Sequence, residues 1–346
     1  MIKPRVTVVV PNYNHAPFLE RRLKSIYGQT YDDFEVLLLD DASTDGSRDI
    51  LRLYAAEHSD NTRLIINESN SGSPFAQWAK GIEAAQGELV WMAESDDYCE
   101  PDMLGHLVEP FKDPEVVLSY GIPLSVDREG TPISYQFEDY AAELPLQRWR
   151  ASYVASADEE VTSCLGIRNT VPNASAALFR RSAAVAYIND PIWQSMRICG
   201  DWCFYLKIIQ GGKIAFVKEA KSYFTHTEGN TSAREARTKA LVNEQMLVLA
   251  TIGIFYPSCP MPVLEKNLGF LIRHFRHFFG ENLPEGVRNH PVTTVARLRR
   301  DLQIVQAELD SVLASRSWKF TAWLRACDSL LEKLKNRIAP RSIKKE

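Results

Sequence analysis

Leu89-Val90-Trp91-Met92-Ala93-Glu94-Ser95-Asp96-Asp97-Tyr98 joins five apolar residues to three carboxylates. Five in a row is too short for a core helix but long enough for a strand buried on both faces. In open α/β sheets ligands lie just beyond the carboxyl ends of such strands. Adjacent carboxylates repel one another unless a cation or a donor lies between them, so a divalent metal holding phosphate oxygens fits this edge. A solvated acidic turn is the plainer alternative.

Upstream, the same plan recurs. Val6-Thr7-Val8-Val9-Val10 is a β-branched run stopped by Pro11, and an amphipathic helix with Phe18, Leu19, Leu23 and Ile26 on one side follows. Phe34 to Leu39 makes a second strand ending at Asp40-Asp41, with Ser43-Thr44-Asp45-Gly46 offering caps for the next helix. Leu64-Ile65-Ile66, a loop containing Gly72, and a helix from Pro74 to Ala85 complete the series. Strands alternating with helices predict a mostly parallel α/β sheet flanked by helices on both faces.

The loop after the first strand reads Pro11-Asn12-Tyr13-Asn14-His15 and has no glycine. A dinucleotide-binding turn needs Gly-x-Gly-x-x-Gly there so that backbone can approach a pyrophosphate, which disfavours an oxidoreductase. Tyr13 could instead stack on a nucleobase and Asp41 could accept from a base N–H; an ordinary loop tyrosine and a capping aspartate would read the same. Further on, Met103 to Phe111 reads as a helix, Val116 to Tyr120 as a strand, and Asp127-Arg128-Glu129-Gly130 as a hairpin turn in the less regular segment 121–160. Asn173 to Phe179 reads as a strand with a polar start, and Arg180-Arg181-Ser182 as the opening of a helix. Asp201 stands at the N-terminal edge of an apolar helix, where a carboxylate could simply be a cap, and His226 leaves the strand-like run from Tyr223 into a Gly/Asn loop.

Several fragments, in this order, resemble the inverting glycosyltransferases of family 2 with the GT-A fold. They are Val-Val-Val-Pro-Asn-Tyr-Asn from Val8, Leu-Asp-Asp-Ala-Ser-Thr-Asp from Leu39, Asn70-Ser71-Gly72, Gly81 to Glu88, Ser95-Asp96-Asp97 and Gly200-Asp201-Trp202. The likeness runs from about Val6 to Thr231 and implies a nucleotide-sugar donor, with a UDP- or dTDP-sugar expected. It implies donor contacts at Pro11, Tyr13, Asp41, Asn70, Gly72 and Asp96, the last on the ribose. Asp97, with His226, would hold a divalent Mg²⁺ or Mn²⁺. The family's Asp-x-Asp element reads Glu94-Ser95-Asp96-Asp97 here, so its first acid is displaced. Asp201 resembles the catalytic base, although the usual Glu-Asp pair is Gly200-Asp201 in this chain.

The chemistry makes sense of both ends. A carboxylate within about 3 Å of an acceptor hydroxyl can take its proton as the new bond forms, while a cation offsets the charge of the departing diphosphate. The expected acceptor is a saccharide or lipid-linked saccharide in cell-surface polysaccharide assembly. A nucleotidyltransferase and a catalytically silent sugar-nucleotide-binding protein are the competing readings.

The chain has 346 residues, 45% hydrophobic and 24% charged, which fits a large soluble core. Its expected division is a GT-A domain at 1–232 (nucleotide part about 1–120, acceptor part about 121–232), a helical extension at 233–292 and a tail at 293–346. Nine Lys or Arg against three acids between 316 and 346 leave the net charge of −4 unevenly spread. Val295, Leu298, Leu302, Val305, Leu309 and Val312 show an a/d pattern that suits a homodimer seam within 293–315 or a helix packed on its own domain. Trp318, Trp323 and the basic residues that follow suit peripheral contact with an anionic membrane. Six scattered cysteines and an N-terminus without a signal-like apolar run lead to the expectation of a cytoplasmic enzyme, some of it at the inner face of the cell membrane. No nucleic-acid partner is expected.

Overall fold

The computed structural model describes residues 4–226 and 240–280. The expected dimer seam at 293–315, the basic tail and the loop after His226 lie outside these residues. β1 (Val6–Asn12), α1 (Ala16–Tyr27), β2 (Phe34–Asp40), α2 (Ser47–Glu57), β3 (Thr62–Ile66), α3 (Pro74–Ala84) and β4 (Leu89–Met92) follow one another as the hydrophobic pattern predicts. The remaining strands are β5 (Tyr98–Cys99), β6 (Val116–Tyr120), β7 (Leu124–Val126), β8 (Tyr153–Ser156), β9 (Ala177–Arg180), β10 (Lys213–Phe216) and β11 (Ser222–Thr225). Longer helices are α4 (Met103–Val108), α5 (Gly200–Ile208), α6 (Ala240–Phe255) and α7 (Met261–Phe279).

The main sheet has the order β3-β2-β1-β4-β9-β6-β10-β8. Its first half is parallel, β9 enters antiparallel between β4 and β6, and β8 closes the far edge antiparallel to β10. It is an α/β fold. Period-two alternation divides the strand side chains between two cores. Val9, Leu37, Leu39, Val90 and Met92 pack with Trp78 of α3 and with Phe204 and Leu206 of α5. Val8, Val10, Val36, Leu38 and Trp91 pack with Leu19 and Leu23 of α1, Leu51 of α2 and Leu104 of α4. Each such side chain, removed from water, contributes roughly 1.5–3 kcal/mol.

Pro11 does not stop β1, which continues to Asn12. The carbonyl of Val9 accepts from Ala93, and pairing with β4 goes no further. Pro11 faces that same side two residues on, past the end of β4, so its missing N–H breaks no ladder bond. The segment expected to cap α2 is also used differently. Gly46 stands at the N-cap, while Asp45 accepts from Ser47 N and, across the loops, from Ala16 N. Arg181–Ala184 forms a single helical turn, not a helix, and the polar start of the strand at Asn173 coils through Ala174–Ala176 before β9 begins.

A second sheet, β5-β11-β7, positions the site. Tyr223 of β11 pairs with Tyr98 directly after Asp97, which brings Thr225 and His226 to the end of β4. In the other half, the buried Glu160 accepts from Arg148 Nη2 (2.7 Å) and Tyr153 Oη (3.1 Å). Tyr153 in turn meets Tyr120 at 2.9 Å, and Thr170, the neighbour of Asn169, donates to Glu160 at 3.4 Å. All five cysteines among the described residues are buried free thiols.

Candidate active site

The loops after β1 and β2 are tied together by side chains. Asp40 accepts from Asn12 Nδ2 (3.0 Å), Ser43 N (2.9 Å) and Arg48 Nε (3.1 Å). Asn14 and Ala42 both adopt positive φ, 56° and 63°. A non-glycine residue holds that conformation only when its surroundings enforce it; Asn14 does so through Thr44 N, which donates to its Oδ1 at 2.8 Å. At this edge Pro11 is buried and Tyr13 stands 46% exposed, with a ring face available for stacking.

Asp41 is buried at the end of β2. Its Oδ1 accepts from Asn67 Nδ2 (2.7 Å), Gln77 Nε2 (2.9 Å) and Ser71 N (2.9 Å), and its Oδ2 from Ser71 Oγ (2.7 Å). These bonds use most of its acceptor capacity, so reading a base edge would require a chain donor to yield. Asn70 Nδ2 donates to the Asp41 carbonyl, and Asn70 Oδ1 accepts from the exposed Gly72 N, where φ is +74° and glycine is the natural occupant.

Beyond β4 the three acids have different settings. Glu94 accepts from the Trp78 indole at 2.7 Å; burial first, then the Asp96 charge, pushes its carboxyl up to about 8. Burial pushes Asp96 up to about 6. Asp97 is buried, accepts from Thr225 N (3.0 Å) and Asn173 Nδ2 (2.9 Å), and is pushed up to about 6 by burial and by Asp96. The ring of His226 lies within the field of Asp97, and burial holds its pKa below the usual value.

His226 Nε2 and Asn173 Oδ1 are buried polar atoms with no hydrogen-bond partner among the described residues. An orphaned amide oxygen and an imidazole nitrogen beside a desolvated carboxylate fit a divalent cation such as Mn²⁺, with the His226 proton then on Nδ1. Among the described residues no three His, Cys, Asp or Glu side chains converge on one point, so such a cation would draw further ligands from substrate and water.

Asp201 sits in the first turn of α5, half-buried. Its Oδ1 accepts from Trp202 N (2.7 Å) and its Oδ2 from Asn169 Nδ2 (3.1 Å). Burial raises its carboxyl to about 7, the basicity a proton acceptor needs near neutral pH. The preceding glycine is a packing requirement. A Cβ on Gly200 would lie 2.4 Å from Cε2 of Phe75, so α3 occupies the space a side chain would need. The charges of Asp201 and Glu94 both raise the pKa of the buried phenol of Tyr205, after burial itself.

Of the residues singled out from sequence, the fold gathers Asp96, Asp97 and His226 at the end of β4. Tyr13, Asp41, Asn70 and Gly72 stand on the loops after β1 to β3, and Asp201 lies beyond Tyr205. His15 was quoted only as part of its loop, yet its Nδ1 meets Ser95 Oγ at 2.8 Å and it faces Asp97 and Asp45. Asn169, Asn173 and Trp78 also escaped sequence reasoning. The polar start before β9 was the one signal for Asn173; nothing in the periodicity distinguishes Asn169.

Residues 7–184, just over half of the chain, match the model of glycosyl transferase family 2. An uncharacterized glycosyltransferase of Nostoc sp. is 29% identical over 252 residues, 68% of this chain and 71% of that protein. The poly(ribitol-phosphate) β-glucosyltransferase of Bacillus spizizenii is 31% identical over 132 residues, 38% of this chain but only 21% of that longer protein. A solved mannosyltransferase of Pyrobaculum calidifontis, in complex with GDP-Man and Mn²⁺, superposes with a TM-score of 0.56 at 19% identity. That alignment covers 92% of this chain and 83% of the other, and the likeness is one of fold.

Proposed function

This chain belongs to glycosyl transferase family 2 and is a nucleotide-sugar-dependent glycosyltransferase. From that premise we propose that it transfers a sugar with inversion to a saccharide or lipid-linked saccharide acceptor in cell-surface polysaccharide assembly, with Asp201 as the base. What carries the reading is the setting of Asp201: a carboxylate raised to about 7, held by Asn169 and Trp202 N at the head of a helix.

Asp201 takes the proton of the acceptor hydroxyl as the oxygen attacks the anomeric carbon from the face opposite the leaving group. No covalent sugar–enzyme bond is needed. Tyr13 stacks on the base, Asp41 and Asn70 shape the loop around it, with Gly72 at its turn, and Asp96 contacts the ribose. Asp97 and His226 would hold a divalent cation, which when bound supplies Lewis-acid stabilisation to the leaving diphosphate. The orphaned Nε2 of His226 supports this assignment, as does the Mn²⁺ found with the mannosyltransferase of like fold. The acceptor's attachment to lipid and the basic tail's contact with an anionic membrane complete the proposal.

Calorimetric titration of nucleotide sugars with and without Mn²⁺ tests the donor site. Asp97→Asn should lose most of the metal-dependent gain in donor affinity and keep the metal-free affinity. An undiminished metal effect in that variant would remove Asp97 as a ligand. Release of nucleoside diphosphate, and not pyrophosphate, separates this reading from a nucleotidyltransferase.

A further inference from the structure

The environment of Asp201 is completed from a part of the chain beyond the family match. Glu244, on α6, is buried, and its carboxylate accepts three consecutive backbone N–H groups: Arg197 N on Oε1 at 2.8 Å, and Ile198 N (2.8 Å) and Cys199 N (2.9 Å) on Oε2. Three amides converging on one carboxylate form a compact charge-assisted anchor. Cys199 is the N-cap of α5, and Asp201 lies two residues further on.

The same helix pair grips the other side of the base. Gln245 Nε2 donates to Asn267 Oδ1 (3.0 Å), and Asn267 Nδ2 donates to the carbonyl of Gly166 (2.9 Å). Gln245 and Asn267 are buried, and Gly166 lies three residues before Asn169, the partner of Asp201. Tyr256 Oη, at the end of α6, donates to the carbonyl of Leu206. The helices after residue 240 therefore hold both chain segments that present the base.

We propose that Glu244 is a positioning residue for the base, clamping the backbone of Arg197 to Cys199 so that α5 begins where Asp201 meets the acceptor hydroxyl. This rests on Asp201 being the base. Among the described residues the titratable groups facing Asp201 are Glu244 from α6, Cys199, Cys203 and Tyr205 of the α5 segment, and Tyr140, on which the Arg168 guanidinium stacks at 3.8 Å. Of the acids in this group, Glu244 accepts three backbone amides, and its charge acts against ionisation of Asp201.

The test measures kcat, donor KM and the pH dependence of kcat/KM in the full chain for Glu244→Gln, Glu244→Ala, Thr251→Val and Asp201→Asn. Thr251 lies on the same helix and meets Cys203 Sγ, so its variant loosens α6 without touching the clamp. Glu244→Ala should lower kcat about tenfold or more with donor KM within about twofold, the cost of a displaced base. Glu244→Gln, close in shape but uncharged, should move the acid limb of kcat/KM to lower pH by about half a unit, because a like charge near Asp201 is gone. Thr251→Val should leave both unchanged. The clamp is overturned if Asp201→Asn is inactive while Glu244→Gln keeps the native limb and kcat, or if Thr251→Val reproduces the Glu244 effects. Full transfer by Asp201→Asn would instead overturn the base itself. Glu244→Gln carries the test if the alanine variant does not fold.

Discussion

The loops proposed to hold the donor and the proposed base, Asp201, are built in contrasting ways. The loops after β1, β2 and β3 belong to successive strand–helix units, so segments adjacent in the repeat are adjacent in the sheet. Asn12 meets Asp40, and Asp41 meets Asn67 and Ser71. Asp201 has no such repeat around it. Its partners come from a turn before β9, from α3 through Phe75, and from the helices after residue 240. The loop edge after β1 to β3 is therefore a property of a repeated motif, whereas the setting of Asp201 is a property of how unlike segments pack.

Removing the base should separate the two regions most sharply. Asp201→Asn is expected to lower transfer by roughly 10²- to 10⁴-fold, the usual share of general-base catalysis, while calorimetric donor affinity stays native. In the native enzyme kcat/KM should rise with pH through about 7 and level above it, because Asp201 accepts a proton only when ionised and burial raises its carboxyl to that value. A profile flat from pH 5 to 8 would place the base elsewhere.

A smaller effect is expected at the junction of α3 and α5. Gly200→Ala puts a methyl group against the Phe75 ring and should cost about 1–3 kcal/mol of stability by overpacking, read as a lower chemical-denaturation midpoint. Pairing it with Phe75→Leu should recover part of that loss, and no recovery would show that the ring is not what excludes the side chain. The smallest expected effect is on the donor edge. Tyr13→Ala should weaken donor binding by about 1 kcal/mol, about fivefold, as expected for a lost stacking contact, with thermal stability unchanged because the ring is half in solvent. A change in base-side pH dependence in this variant would break the separation of the two regions.

Legibility in the sequence follows the same division. The alternation of apolar runs with Asp40-Asp41 and Asp96-Asp97 was enough for the α/β sheet and for the strand ends where ligands gather, because burial on both faces demands uninterrupted apolar strands. It did not reveal that Pro11 lies inside β1, which depends on β4 ending early. Nor did the alternation by itself bring His226 to Asp97, which depends on β11 pairing with β5. Nothing in the pattern distinguished Glu244, which stands between Asn243 and Gln245.

What the sequence by itself determined is the repeat of strands, helices and carboxylate-bearing ends, along with the ordered fragments that mark the family. Those signals are local: they follow from side-chain periodicity and from backbone conformations a few residues long. Only the tertiary structure decided which amides surround Asp97, why residue 200 has no side chain, and how burial raises the Asp201 carboxyl. Desolvation and hydrogen bonding depend on neighbours far away in the chain, and no periodicity records them.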